Sequence, residues 1–445
     1  MRRTTSRILR GIALVSTLTL GMTACGSSDD DSDTKAVSAA DIKAALDKGG
    51  SITVWAWEPT LKTVAADFQK KYPKVKVNLV SERSGDKHYT ALSNAISAGK
   101  GVPDVAQVEY FALGQYSLTK GLTNLAPYGA DKLASKYTPG PWNAVSDGDK
   151  VYGLPMDSGP MALYYNKKVF DKYKIAVPTT WDEYLDAARK LHKADPKVYI
   201  ANDAGDAGFT TSMLWQAGSR PYKVDGTKVG INFDDAGAKK FETVWQKLID
   251  EKLLAPINGW TDDWYKGLGD GSIATLASGA WMPANFETGV PNAKGQWRAA
   301  PLPAWTKGDK ASAENGGSSL TVPELAKNKE LAYAFTEYAN SGAGVATRVS
   351  EGAFPATKAQ LEDPAFQSKK FDYFDGQEAN KIFAESAANV ASDWSYLPFQ
   401  QYANSIFNDT VGKAYVSSTT LAQGLKAWQD ASVKYGEEQG FTIEK

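Results

Sequence analysis

The sequence predicts an α/β fold divided into two compact regions, on three observations. Short β-branched and aromatic runs alternate with amphipathic stretches at helical spacing between residues 51 and 108. The chain has 445 residues, enough for two domains with their own cores. It carries one cysteine, so no internal disulfide can stand in for a core.

Ile52, Thr53, Val54, Trp55, Ala56 and Trp57 read as the first strand, stopped by Glu58 and Pro59. Leu61, Val64, Ala65 and Phe68 recur at helical spacing and place a helix over residues 61–72, and 75–80 return as a strand. Residues 89–98 read as helix, 99–103 as a turn and 104–108 as a strand, with Asp104 fixing the turn. Strands alternating with helices imply a parallel sheet wrapped by helices. Residues 151–155 and 162–165 are extended, separated by Asp157, Ser158, Gly159 and Pro160, and a second region begins there. Thr180 caps a helix over 181–194, and further helices are expected at 235–251, 329–340 and 421–435, with Trp245 and Trp428 on buried faces.

The first 25 residues are an export signal. Arg2, Arg3, Arg7 and Arg10 precede an apolar stretch from Gly11 to Met22, which is shorter than the roughly 20 residues that span a bilayer. Thr23, Ala24 and Cys25 close it in a pattern that resembles a bacterial lipobox. That resemblance implies removal of residues 1–24, a diacylglyceryl group on the Cys25 thiol and anchorage to the outer face of the cytoplasmic membrane. An ordinary secretory signal with an incidental Cys25 is the alternative. Residues 25–49, rich in Gly, Ser, Asp and Ala, read as a flexible tether.

Without residues 1–24 the chain holds 46 basic and 51 acidic residues, a net charge of −5, which offers no footprint for nucleic acid. His88 and His192 stand far apart with no cysteine partners, which argues against zinc, and no cofactor is implied. Asp203 and Asp206 leave a calcium site open, although no calcium-loop spacing is present and solvated turns explain them.

Three groups of residues carry a family resemblance: Gly153-Leu154-Pro155, then Leu163-Tyr164-Tyr165-Asn166-Lys167, then Pro178-Thr179-Thr180-Trp181-Asp182-Glu183. Phe68 to Tyr72 followed by Val75 to Val77, Pro103-Asp104-Val105, Gly279-Ala280-Trp281, Lys327-Asn328-Lys329-Glu330 and Gly352-Ala353-Phe354-Pro355 also fall in the order of that resemblance. The set resembles the family 1 extracellular solute-binding proteins of carbohydrate ABC importers, from about Ser51 to the C-terminus. The resemblance implies a two-lobed periplasmic-binding-protein-like fold with a hinge and an interlobe cleft. Lobe 1 would comprise residues 50–156 and 311–355, and lobe 2 residues 157–310 and 356–445. It also implies a monomer that delivers a sugar to importer membrane subunits and has no catalytic residues.

Sugars present flat C–H faces and rings of hydroxyls, so their sites need aromatic platforms beside carboxylates and amides. The chain has 13 Trp, many at expected loops or strand ends, including Trp57, Trp215, Trp260, Trp264, Trp281, Trp305 and Trp394. In open α/β sheets ligands sit beyond the carboxyl ends of the strands, which selects Trp57 with Glu58, Ser81 with Glu82, and Glu109 with Tyr110. Position in the resembling family adds Asp157, Trp215, Trp281, Gly317, Asp393 and Trp394, with Asn315 and Tyr396 nearby. Glu58, Glu109 and Asp393 would pair with hydroxyls while tryptophans hold one or two rings, which favours a di- or oligosaccharide. An exported glycoside hydrolase, or a lipoprotein for peptides, polyamines or iron, is the rival reading.

Overall fold

The computed structural model describes residues 36–81, 85–416 and 419–444. Cys25, the export signal and Glu82 therefore lie outside the described residues. In chain order, the elements that place the cleft begin with α1 (Ala39–Lys48), β1 (Gly50–Trp55), α2 (Leu61–Lys71) and β2 (Val75–Val80). They continue with α3 (Gly85–Ala98), β3 (Val105–Glu109), α4 (Tyr110–Leu118), β4 (Leu154–Pro155) and β5 (Met161–Asn166). Next come α5 (Trp181–Ala194), α6 (Ala207–Gln216), α7 (Ala236–Asp250), α8 (Asp262–Asp270), β6 (Thr275–Gly279) and β7 (Trp297–Pro301). The last are β8 (Ser318–Thr321), α9 (Lys329–Asn340), α10 (Gly344–Ser350) and α11 (Leu421–Glu438).

The first lobe is built on a five-stranded sheet in the order β2-β1-β3-β8-β4. β1 pairs parallel with β2 and β3, while β8 runs antiparallel and sets Ser318 opposite Glu109. Its core joins Ile52 and Val54 of β1, Leu61, Val64 and Phe68 of α2, Val105 and Val108 of β3, and Leu331 and Phe335 of α9. Asp104 ties the sheet at its far edge: one carboxylate oxygen accepts Thr53 N–H at 2.9 Å and the other accepts Lys327 N–H at 3.1 Å. The turn-fixing role expected of Asp104 is thus extended to a second chain segment 223 residues away.

The second lobe is centred on β5, flanked antiparallel by β6 and β7. Trp181 of α5 and Trp245 of α7 meet edge to face at 5.4 Å in one core cluster that also takes Trp428 of α11. These indoles are at most 1% exposed, and their helices match the expected amphipathic pattern. Thr180 caps α5 by accepting Glu183 N–H.

Residues 39–48 correct the expectation of a flexible tether through residue 49. They form α1, opened by a capping box in which Ser38 Oγ accepts Asp41 N–H and the Asp41 carboxylate accepts Ser38 N–H. Ile42, Ala45 and Leu46 form a short apolar stripe that packs on the first core. The small, polar composition around it obscures that stripe in sequence.

Core membership changes between Met156 and Met161, between Ala313 and Leu320, and again between Ala356 and Leu361. The chain therefore crosses between lobes more than once. The crossing segments lie side by side, with Asp157 bridged to Pro355 and Pro160 to Glu314.

Candidate ligand-binding cleft

The first lobe contributes the loop after β1. Gln107, buried in β3, accepts the backbone N–H groups of Trp57 and Glu58 at 3.0 and 3.1 Å through one amide oxygen. Its Nε2 donates to Ser318 Oγ at 3.0 Å, so the loop is held against the neighbouring β8. The Trp57 ring stands edge-on to His88 at 5.1 Å and to Tyr89 at 6.5 Å. Glu58 turns one carboxylate oxygen to Thr60 Oγ1, and Glu109 accepts Tyr89 O–H at 2.8 Å. β1 and β3 thus deliver Trp57, Glu58 and Glu109 to the same edge of the sheet.

The crossing segments carry two carboxylates. Asp157 Oδ1 accepts Ser318 N–H at 2.6 Å and its hydroxyl at 3.1 Å, while the Asp157 carbonyl accepts Tyr110 O–H at 2.6 Å. Burial and the neighbouring Glu58 charge push the Asp157 carboxyl up to about 6, against the opposing pull of Arg348 and Ser318. Glu314, 2% exposed, accepts Ser158 O–H and Gly159 N–H, and burial pushes it up to about 7 despite these bonds. Arg348 reaches in from α10 to donate to the Met156 carbonyl at 2.7 Å, and burial pulls its guanidinium down.

Two cavities border this hinge. One takes its wall from both lobes, being lined by Tyr110 and Leu113 of α4 and by Trp215, Trp394 and Tyr396, together with Glu314. Trp215 and Trp394 stack at 5.0 Å and 8°, and Trp215 Nε1 donates to the Ala391 carbonyl. The other cavity lies in the second lobe and is bordered by Asn202, Asp206, Asn258, Trp260, Ser278 and the hinge residue Asn315. Trp281 joins this side, because its Nε1 donates to the Asn315 carbonyl at 2.7 Å and its ring stands 5.7 Å from Trp260.

The sequence-derived candidates therefore separate into three groups. Trp57, Glu58, Glu109 and Asp157 gather on the first lobe and its hinge, Trp215, Asp393 and Trp394 cluster together, and Trp281 stands with Asn315. Trp215 is only 4% exposed, so most of its ring serves the core. The Asp393 carboxylate is paired with Arg220 at 2.9 Å. Gly317 has a backbone role: its φ is 102°, and its α-carbon lies so close to the Tyr110 ring that a Cβ would come within 2.5 Å of it. Sequence reasoning missed Gln107, Glu314 and Arg348, which are buried and carry no local motif. The Gly316-Gly317 pair beside Glu314 was the one signal of a special backbone there.

Two α/β lobes linked by adjacent crossing segments, with aromatic and acidic side chains at the junction, define the class of proteins that enclose a ligand between lobes. The chain belongs to the family of bacterial extracellular solute-binding proteins, which it matches over residues 56–346. The ABC transporter associated binding protein from B. animalis subsp. lactis Bl-04, solved in complex with beta-1,6-galactobiose, is 46% identical, with a TM-score of 0.80 over 89% of this chain and 99% of that one. The galacto-N-biose-/lacto-N-biose I-binding protein of the ABC transporter from Bifidobacterium longum, solved with lacto-N-biose, is 26% identical, with a TM-score of 0.76 over 89% and 99%. The arabinooligosaccharide-binding protein of Bacillus subtilis (strain 168) is 29% identical over 303 residues, 65% of this chain and 68% of that protein.

Proposed function

We propose that this protein is the solute-binding component of an ABC importer and captures a disaccharide or short oligosaccharide between its lobes without altering it. The observation that carries the reading is the placement of Trp57, Glu58 and Trp281 around the crossing segments, in a chain 46% identical to a relative solved with a bound disaccharide. Indole faces would take the sugar C–H surfaces, and Glu58 and Glu109 would accept hydroxyl protons. Contacts from both lobes exist together only when the lobes close, so the sugar shifts the balance by its differential affinity for the closed form. The closed shape is then what the membrane subunits read. Cys25 would carry the lipid that keeps the protein at the outer face of the membrane, where two acyl chains hold firmly and one holds marginally.

The test is calorimetry of residues 36–445 with β-1,6-galactobiose, lactose and arabinobiose, with the sugars recovered and chromatographed afterwards. Binding of at least one with full recovery supports the reading. No heat with any of them, or release of monosaccharide, overturns it. Cys25→Ser in a cell-envelope fractionation checks the anchor, with loss from the membrane fraction expected.

A further inference from the structure

Glu109 is held at two points by one phenol. Tyr89 of α3 donates its O–H to Glu109 Oε2 at 2.8 Å and accepts the Glu109 backbone N–H at 3.0 Å through the same oxygen. Side chain and main chain of one residue are thereby tied to a single atom, which sets the direction in which the carboxylate leaves the end of β3. A nearer use for that carboxylate is passed over. Glu109 is the N-cap residue of α4, yet its side chain makes no capping bond to the helix.

The phenol is itself locked in place. Buried in the first core, its ring packs against His88 at 5.5 Å and against Phe111 and Tyr116 of α4 at 6.0 and 6.5 Å. The Tyr116 hydroxyl donates to the Tyr89 carbonyl, so the backbone of α3 is held there too. Burial, reinforced by the Glu109 charge, pushes the Tyr89 phenol well above its ordinary value, and it keeps its proton as the donor. The same ring meets Trp57 edge to face at 6.5 Å. One side chain thus reaches both the aromatic platform and an acid expected on this lobe. Glu109 also faces the junction: its charge and that of Glu314 add to the burial that pushes up the Tyr396 phenol, and Tyr396 packs on the cores of both lobes.

A carboxylate set in place before the ligand arrives loses little freedom on accepting a hydroxyl, whereas an unrestrained glutamate must be ordered at the moment of binding. We infer that Tyr89 is a positioning residue for Glu109, acting on the sugar through that carboxylate and making no contact with the ligand itself. The inference rests on the carbohydrate-binding reading above, in which Glu109 accepts a hydroxyl proton, and deepens it by naming the side chain that presets this contact.

Calorimetry on wild type, Tyr89→Phe, Glu109→Ala and the double variant tests it, with β-1,6-galactobiose, or with lactose or arabinobiose where the wild type binds one of those instead. Tyr89→Phe keeps the ring and loses both bonds, and its Kd should be about three- to tenfold weaker, as expected for ordering one long side chain on binding. Glu109→Ala should weaken binding at least tenfold. In the double variant Tyr89→Phe should add less than twofold to Glu109→Ala, because nothing remains for the phenol to position. A change of less than threefold in Tyr89→Phe, an unchanged Kd in Glu109→Ala, or losses that multiply in the double variant overturns the inference and leaves the carbohydrate reading standing. Should Tyr89→Phe fail to fold, Glu109→Asp decides, since it keeps the charge but is one methylene too short to serve phenol and sugar together. A loss of threefold or more in that variant supports the inference, and a smaller one overturns it. A wild-type protein that binds none of the three sugars overturns the carbohydrate reading and this inference with it.

Discussion

The Glu314 carboxylate accepts the Gly159 amide at 2.6 Å, and one side chain thereby ties together two of the segments that cross between the lobes. The same carboxylate takes the Ser158 hydroxyl at 2.8 Å, with Asp157 next in the chain. Two acids are thus concentrated at the place where the lobes must pivot.

This pairing has a pH signature. Glu314 is pushed up to about 7 chiefly by burial, with the nearby Asp157 charge adding to it, so the folded state binds a proton more tightly than the unfolded chain. The stability this proton contributes is fully present below the unfolded value, about 4.5, and is lost as pH rises through about 7. Urea unfolding at pH 5 and pH 8 should differ by up to about 3 kcal/mol from this group, in favour of pH 5. Glu314→Gln should flatten that part of the profile.

Trp215 and Trp281 should respond differently to removal. Trp215 is buried, stacked on Trp394 and bonded to the Ala391 carbonyl, so Trp215→Ala should cost about 3–5 kcal/mol of stability by the usual price of a core indole. Trp281 is half-buried and bonded to the hinge at the Asn315 carbonyl, and Trp281→Ala should weaken sugar binding at least tenfold with a smaller fall in melting temperature. Chemical denaturation and calorimetry on both variants separate the two roles.

Gly317→Ala should strain the hinge. The added Cβ would lie 2.5 Å from Tyr110 Cε2, and the φ of 102° is unfavourable for alanine in any case. Tyr110 has little freedom to retreat, because its hydroxyl donates to the Asp157 carbonyl and its backbone N–H to the Gly317 carbonyl. A loss of about 1–3 kcal/mol is expected, read as a lowered melting temperature.

Ser38→Ala removes the capping box of α1. The expected cost is about 1 kcal/mol, felt locally. Amide exchange across 39–48 should accelerate while the β1 amides keep their protection.

Much of both lobes was legible because the signals are local. Leu61, Val64, Ala65 and Phe68 mark α2 by spacing alone, Val75–Val80 occupies its expected span, and Thr180 announces α5 through its side chain. Trp57 and Glu58 were selected as candidates because a parallel sheet presents its carboxyl ends to a ligand, a rule that needs only strand order along the chain. α1 was missed because three apolar residues make a weak stripe in a polar segment whose helix is held by contacts with the first core.

The hinge was beyond such reading. Glu314 meets Gly159 across 155 positions, Gln107 meets Ser318 across 211, and Arg348 meets Met156 across 192. Spacing along a chain carries no trace of partners so distant, and burial, which shifts Glu314 and Asp157, arises only when the segments pack together. Local periodicity and strand-end chemistry therefore specify the lobes and their aromatic edges. How those edges are held to one another, and which indoles serve the core instead of the cleft, is settled by long-range packing and the desolvation it imposes.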